Sequence, residues 1–376
     1  MSTVPFYDLG VSVRSHAAEL HAALDDVLES GYFIGGAKTT EFETDFAAYV
    51  GAAHCVGTAN GLDSIRLILE AYGIGPGDEV IVPAFTFYAT WLGVTQVGAT
   101  PVPVDVLRSS ANLDPAAIAA AVTERTKAVI PVHLFGQPAD MTGILAVAKQ
   151  HGLLVVEDAA QAHGAMSNAG MVGTVADAAA FSFYPTKNLG ALGDAGGVTT
   201  NDAAIADRIR SRGSYGKGAS KYDHVDTGWN SRLDPLQAAF LSLHLRSLPE
   251  WTATRRAIAA RYVEALGDRA TAVVGPADTG LSVWHHFVLR ARSREPLQQY
   301  LSDAGVSSDA HYPYVVTELA PVQQLMREQD RGAAFPVGKA LSLQVTSLPM
   351  GPWMSESQIA QVADALRSIP AELLDL

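Results

Sequence analysis

A single lysine stands inside FSFYPTKNLG (181–190), the only charged residue of that stretch. An amine at the edge of an apolar run is either a surface side chain whose stem lies along apolar neighbours or a desolvated nucleophile. Pro185 and Asn188 break strand and helix alike, so Lys187 falls on an irregular turn. Desolvation there lowers the pKa of an amine and favours the neutral form that condenses with a carbonyl to a Schiff base. Ser182, just upstream, can offer a hydroxyl to an anion. In EDAAQAHG (157–164), Asp158 follows an apolar run and Gln161 can lie on the same side if a helical turn begins there. Asp158 either caps that turn or meets a ligand, since a buried carboxylate needs a cationic or hydrogen-bonding partner and has no basic neighbour in sequence. His163 either supports Asp158 by a hydrogen bond or is a satisfied core histidine.

Two further stretches could complete a site. TANGLDS (58–64) lies between a short strand and a helical pattern. Asn60, Gly61, Leu62 and Asp63 then present backbone N–H groups at a helix N-terminus, a favoured place for phosphate; Asp63 could instead merely cap the helix. AFTFY (84–88) supplies Phe85 and Phe87, which are core residues unless one stacks on a planar ring. GIGPGD (73–78) has glycines without the GxGxxG spacing, which argues against a nicotinamide oxidoreductase. A phosphate site, a stacking aromatic, a strand-end carboxylate and a strand-end lysine together are what pyridoxal phosphate requires. The lysine would hold the aldehyde, and the carboxylate would keep the pyridine nitrogen protonated so that the ring accepts electrons.

Those residues need elements that bring them to one place. EVIVPA (79–84), ATPVPVDV (99–106), KAVIPVHLFG (127–136), LLVVEDAA (153–160), AAAFSFY (178–184) and GGVTTND (196–202) read as strands. Helical patterns separate them: FYATWLGVTQVG, LDPAAIAAAV with Asp114 as N-cap and Pro115 at the first position, and ILAVAKQHG ending at Gly152. Near-continuous apolar strands alternating with helices predict an α/β fold with a mostly parallel sheet covered on both faces. Ligands in such folds sit beyond the carboxyl ends of the strands. After about residue 235 a long helical segment leads into WHHFVLRAR (284–292), PLQQYLSDAG (296–305) and SESQIAQVADALRSI. The expected division is a large domain over 1–245 and a smaller C-terminal α/β domain over 246–376.

The chain has 376 residues, 48% hydrophobic and 17% charged, with net charge −13 and no basic cluster, which argues against a nucleic-acid or anionic-membrane surface. One cysteine, Cys55 in AAHCVG, excludes an internal disulfide and reads as a small buried hydrophobe. With no signal peptide and no spanning segment read from the sequence, a soluble cytoplasmic protein is expected.

The chain resembles the fold-type I aminotransferases that act on nucleotide-linked keto sugars, the DegT/DnrJ/EryC1/StrS family. The resemblance runs through VPFYDL (4–9), GPGDEVIVPAFT (75–86), VHLFGQPADM (132–141), VVEDAAQAHGA (155–165), FSFYPTKNLGALGDAGG (181–197), WNSRLDPLQAA (229–239) and HYP (311–313). It implies that Lys187 is the Schiff-base lysine, Asp158 the partner of the pyridine nitrogen and Gln161 the contact to the ring hydroxyl. Phe85 matches the ring-stacking position, and Ser182 with the Gly61 and Leu62 backbone matches the phosphate cradle. Asn230 matches an asparagine reaching the phosphate from the neighbouring subunit, which implies a homodimer with shared active sites. His311 and Tyr312 match positions near the sugar, although HYPYVVTEL lacks the further histidine of many relatives. SFYPTKNLGALGD is similar to enzymes that aminate C-3 of dTDP-3-keto-6-deoxyhexoses; the 4-amino branch more often has histidine where Tyr184 stands. Dehydratases of the family replace the lysine by histidine. The expectation is transfer of an amino group from L-glutamate to such a sugar, with no metal. The rivals are a 4-keto-sugar or keto-cyclitol aminotransferase of the same family and a non-catalytic pyridoxal-phosphate-binding partner protein.

Overall fold

Seven strands pair into one sheet in a computed structural model that describes residues 3–220, 222–275, 281–328 and 334–376. They are β1 (His54–Thr58), β2 (Glu79–Pro83), β3 (Thr100–Val104), β4 (Thr126–Val129), β5 (Leu154–Asp158), β8 (Ala178–Ser182) and β9 (Gly196–Thr200). A small hairpin, β6 (Met166–Ser167) and β7 (Gly170–Met171), lies between β5 and β8. The order across the sheet is β1-β9-β8-β5-β4-β2-β3, and β9 alone runs against its neighbours. The parallel strands therefore end on one edge of the sheet, and reversed β9 begins there.

Every residue of β2 and β9 is buried, as a strand covered on both faces must be. Alternation sorts the side chains of β8: Ala178 and Ala180 pack with Leu67, Ile68 and Trp91, whereas Ala179 and Phe181 pack with Phe42 and Phe46. Each of these fully buried large side chains contributes about 2–3 kcal/mol of transfer free energy. On the first face, Gly93 in the helix Tyr88–Gln96 lies against the helix Gly61–Ala71, and a Cβ there would come within 2.6 Å of Ile65 Cγ2. The helix Pro115–Ala121 has Asp114 accepting from the Ala116 amide, and the helix Met141–His151 ends at Gly152 with φ 65°.

The run KAVIPVHLFG is a strand only over Thr126–Val129. Pro131 has no N–H to donate, and the chain turns at Leu134–Gly136, where Phe135 has φ 62° and Gly136 φ 82°. This turn brings His133 and Phe135 back towards β5, as the bridge of Val132 to Asp158 and the His133 N–H to Asp158 carbonyl bond show.

The helix Pro235–Leu266 runs through residue 245 and carries Tyr262 into a second apolar cluster with Phe287, Leu289, Leu297, Leu301 and Val362. That cluster packs around the antiparallel pair β10 (Phe287–Arg290) and β11 (Val345–Leu348), and Val4 from the start of the chain joins it. The final helix, Glu356–Arg367, opens with a capping box between Ser355 and Gln358. Among the described residues no helix is long and apolar enough to cross a membrane.

Candidate active site

Beyond the carboxyl ends of β2, β5 and β8 lies a cavity of about 720 Å³ that holds most of the residues singled out in the sequence. Lys187 reaches it from a turn rather than from a strand. Its N–H donates to the Tyr184 carbonyl at 2.8 Å, closing a four-residue turn with Pro185 in the second position, where a fixed φ suits it. The side chain is partly buried, and burial pulls its amine down to about 8 while Asp158 opposes the shift.

Asp158 closes β5 and is 6% exposed. The Thr90 hydroxyl donates to its Oδ2 at 2.8 Å and the Ala160 N–H to its Oδ1 at 3.2 Å. Burial raises its pKa, and the two donors, Lys187 and His133 oppose that. The residues after Asp158 form turns rather than a helix, so it caps no helix. Gln161 is also buried in the wall: its Oε1 accepts from the Phe135 N–H at 2.6 Å and its Nε2 donates to the Tyr312 hydroxyl at 3.1 Å. His163 does not bond Asp158. Its Nε2 donates to the Ser182 carbonyl at 2.9 Å, the ring lies beside Phe181 and Phe183, and burial holds its pKa down to about 3.

Across the cavity, the helix Gly61–Ala71 points its N-terminus at Ser182. Asn60 is the N-cap, its side chain accepting from the Asp63 N–H at 2.8 Å. Asp63 is not the cap; it pairs with Arg66 at 3.0 Å. Among the described residues no partner is seen for the Gly61 and Leu62 N–H groups. A Cβ at Gly61 would approach Ser182 Cβ to 2.8 Å, so the close approach of helix and strand end depends on glycine.

Phe85 is fully buried with Phe135, Val106, Leu134 and Leu341, away from the cavity. Its place as a ring-stacking residue is overturned, because the chain leaves β2 with Phe85 turned into the core. Phe87, next but one, lines the cavity and lies 5.6 Å from the Tyr312 ring. Asn230 is exposed, bridged to Ser214, and does not line the cavity of its own chain. Tyr184, His311 and Tyr312 all line it.

Sequence reading missed Thr90, Asp194, His285, His286, Phe6 and Tyr7, which also line or support the site. His286 stacks on His311 at 4.0 Å between centroids, and Phe6 lies 5.6 Å from His311. The only signals were HH in WHHFVLRAR and the VPFYDL start. Among the described residues Lys187 is the one lysine or arginine in the lining.

These residues fit pyridoxal phosphate. Burial raises the pKa of Asp158, and a protonated ring nitrogen beside it would favour the carboxylate. The Gly61 and Leu62 amides with Ser182 could cradle a phosphate, and Phe87, which lines the same cavity, could face a ring.

Residues 14–367 match the model of the DegT/DnrJ/EryC1/StrS aminotransferase family. The chain is 45% identical to the erythromycin biosynthesis sensory transduction protein EryC1 of Saccharopolyspora erythraea, over 97% of this chain and 99% of that protein. It is 43% identical to the dTDP-3-amino-3,4,6-trideoxy-alpha-D-glucose transaminase of Streptomyces venezuelae, over 97% and 95%. Among solved structures it is similar to S. venezuelae DesV in complex with a ketimine intermediate, with TM-score 0.92, 41% identity and full coverage of both chains.

Proposed function

The chain belongs to the DegT/DnrJ/EryC1/StrS aminotransferase family, and on that premise we propose that it moves an amino group from L-glutamate to C-3 of a dTDP-linked 3-keto-6-deoxyhexose. It is a pyridoxal-phosphate-dependent sugar aminotransferase of fold-type I. The observation that carries the finer reading is one cavity that gathers Lys187, Asp158, Gln161, Ser182 and a helix N-terminus beside Tyr184, His311 and Tyr312. The S. venezuelae relative, named for a 3-amino sugar, supports the C-3 position.

Bound, pyridoxal phosphate supplies a carbon to receive the amino group and a ring to take up electron density. Asp158 would hold the ring nitrogen's proton, with Thr90 fixing the carboxylate. Gln161, pinned by Phe135 and Tyr312, would face the ring hydroxyl. Gly61, Leu62 and Ser182 would bind the phosphate, and Phe87 would cover one ring face. Lys187 Nζ, with its pKa lowered to about 8, keeps a neutral fraction near neutrality. It would anchor the cofactor as a nucleophile and, once freed by the amino donor, carry protons to and from the reacting carbons.

Both substrates are anionic, yet Lys187 is the one lysine or arginine of the lining among the described residues. This supports a homodimer in which a second copy brings Asn230 and neighbouring residues to the site. The separate cluster around Tyr262 and Phe287 supports a lobe over 246–376 beside one over 1–245 that would hold the cofactor.

The test is incubation with L-glutamate and either 3-keto or 4-keto dTDP-deoxyhexoses, with products followed by NMR. Amination of the 3-keto sugar alone supports the proposal; preference for the 4-keto sugar, or for a keto-cyclitol in the same assay, overturns it.

A further inference from the structure

The first peptide of the phosphate cradle is held from inside the fold by two hydroxyls that the reaction above does not use. Thr58 closes β1, Ser64 lies in the first turn of the helix Gly61–Ala71, and both are fully buried. Their oxygens are 2.7 Å apart. Each also reaches the carbonyl oxygen of Asn60, Thr58 Oγ1 at 3.2 Å and Ser64 Oγ at 3.1 Å. That carbonyl accepts the Ser64 N–H at 3.1 Å as well. On β9, paired with Thr58, Gly196 backs the same peptide, and a Cβ there would come within 2.4 Å of the Asn60 carbonyl carbon.

Two hydroxyls carry two hydrogens, and a carbonyl only accepts. If Ser64 donates to Thr58, Thr58 is left to donate to Asn60. If Thr58 donates to Ser64, Ser64 is left to donate to Asn60, with the Phe181 carbonyl a longer alternative at 3.5 Å. The shorter bonds therefore keep a hydroxyl hydrogen on the Asn60 carbonyl in both directions. The Asn60–Gly61 peptide is trans, so its C=O and N–H point opposite ways in one plane. A carbonyl held against Thr58 and Ser64 turns the Gly61 N–H outward, at the helix start that lines the cavity opposite Ser182. The Asp63 and Ser64 amides are spent on the side chain and carbonyl of Asn60, which leaves the Gly61 and Leu62 N–H groups for a ligand.

We propose that Thr58 and Ser64 are positioning residues for the cofactor's phosphate, their hydroxyl pair fixing the Asn60–Gly61 peptide so that the Gly61 N–H is aimed before the phosphate arrives. Neither residue lines the cavity. Their effect falls on the phosphate alone, as preorganisation of a donor, and the ring end of the site does not feel it. The inference rests on Gly61, Leu62 and Ser182 as the phosphate cradle.

The test compares pyridoxal phosphate with pyridoxal, which lacks the phosphate, in equilibrium dialysis. Each single substitution leaves one hydroxyl in reach of the carbonyl, so both are removed together in Thr58→Val/Ser64→Ala. Replacing two bonded partners by apolar groups costs little stability, and Asn60 keeps its bond from the Ser64 N–H. The preference for pyridoxal phosphate over pyridoxal should fall about tenfold in the double variant, with pyridoxal affinity within about twofold of wild type. Thr58→Ser, which keeps the hydroxyl, should keep the preference. Gly196→Ala, whose Cβ meets the same peptide from the other side, should lose it with both hydroxyls in place. Ser182→Ala tests the cradle itself: an unchanged preference there removes the cradle and this proposal with it. A lost preference in Ser182→Ala beside an unchanged one in the double variant overturns the proposal alone. Equal loss of pyridoxal and pyridoxal phosphate in the double variant overturns it too, since a merely loosened site would weaken both.

Discussion

Gln161 and Tyr312 join the two sides of the cavity: the glutamine Nε2 donates to the tyrosine hydroxyl at 3.1 Å, across 151 residues of sequence. With Oε1 held by the Phe135 N–H, the amide has one orientation. Tyr312→Phe removes the acceptor and leaves a buried amide donor unpaired, a loss of about 1 kcal/mol in holding this wall. The KM for the sugar nucleotide should rise several-fold with kcat within about threefold of wild type. Steady-state kinetics that show an unchanged KM would refute this role.

Thr90→Val tests the electrostatics of Asp158. Burial already raises the Asp158 pKa, and the Thr90 hydroxyl is the first group that opposes it. Removing a donor to the charged form raises the pKa further. The site needs the carboxylate, so activity is lost as pH falls through that pKa. The acid limb of the kcat/KM profile should therefore move to higher pH, by about one unit. An acid limb that stays in place would show that Thr90 does not support the charge.

Phe85 and Phe87 should part company on substitution. Phe85 is fully buried, and Phe85→Ala should cost about 3–5 kcal/mol of stability in chemical unfolding. Phe87 is 53% exposed, and Phe87→Ala should cost about 0.5 kcal/mol or less while weakening retention of the cofactor. Equilibrium dialysis of cofactor against each variant checks the difference; weaker retention by Phe85→Ala alone would contradict the assignment.

These pairs also show what the sequence could and could not reveal. Lys187, Asp158, Gln161 and Ser182 were legible because each sits at or just past the end of an apolar strand, and strand ends share an edge in a parallel sheet. The choice between Phe85 and Phe87 was not, because alternation fixes a face only while the chain stays in the strand, and β2 stops at Pro83. Phe87 is already the N-cap of the next helix. The turn at Phe135 was hidden in an apolar run, since a left-handed non-glycine residue leaves no compositional mark. Thr90 and His285 act across 68 and 97 residues, on Asp158 and Asn188. Such pairings come from packing, and local pattern does not show which distant residue each side chain meets.

Lys187 carries the central claim, and Lys187→Ala tests it most directly. With L-glutamate and the dTDP-3-keto-deoxyhexose, the variant should show no amino-sugar product above background and no visible absorbance of lysine-bound cofactor, while still folding and releasing its cofactor on dialysis. Turnover near the wild-type rate would show that another group carries the amine chemistry.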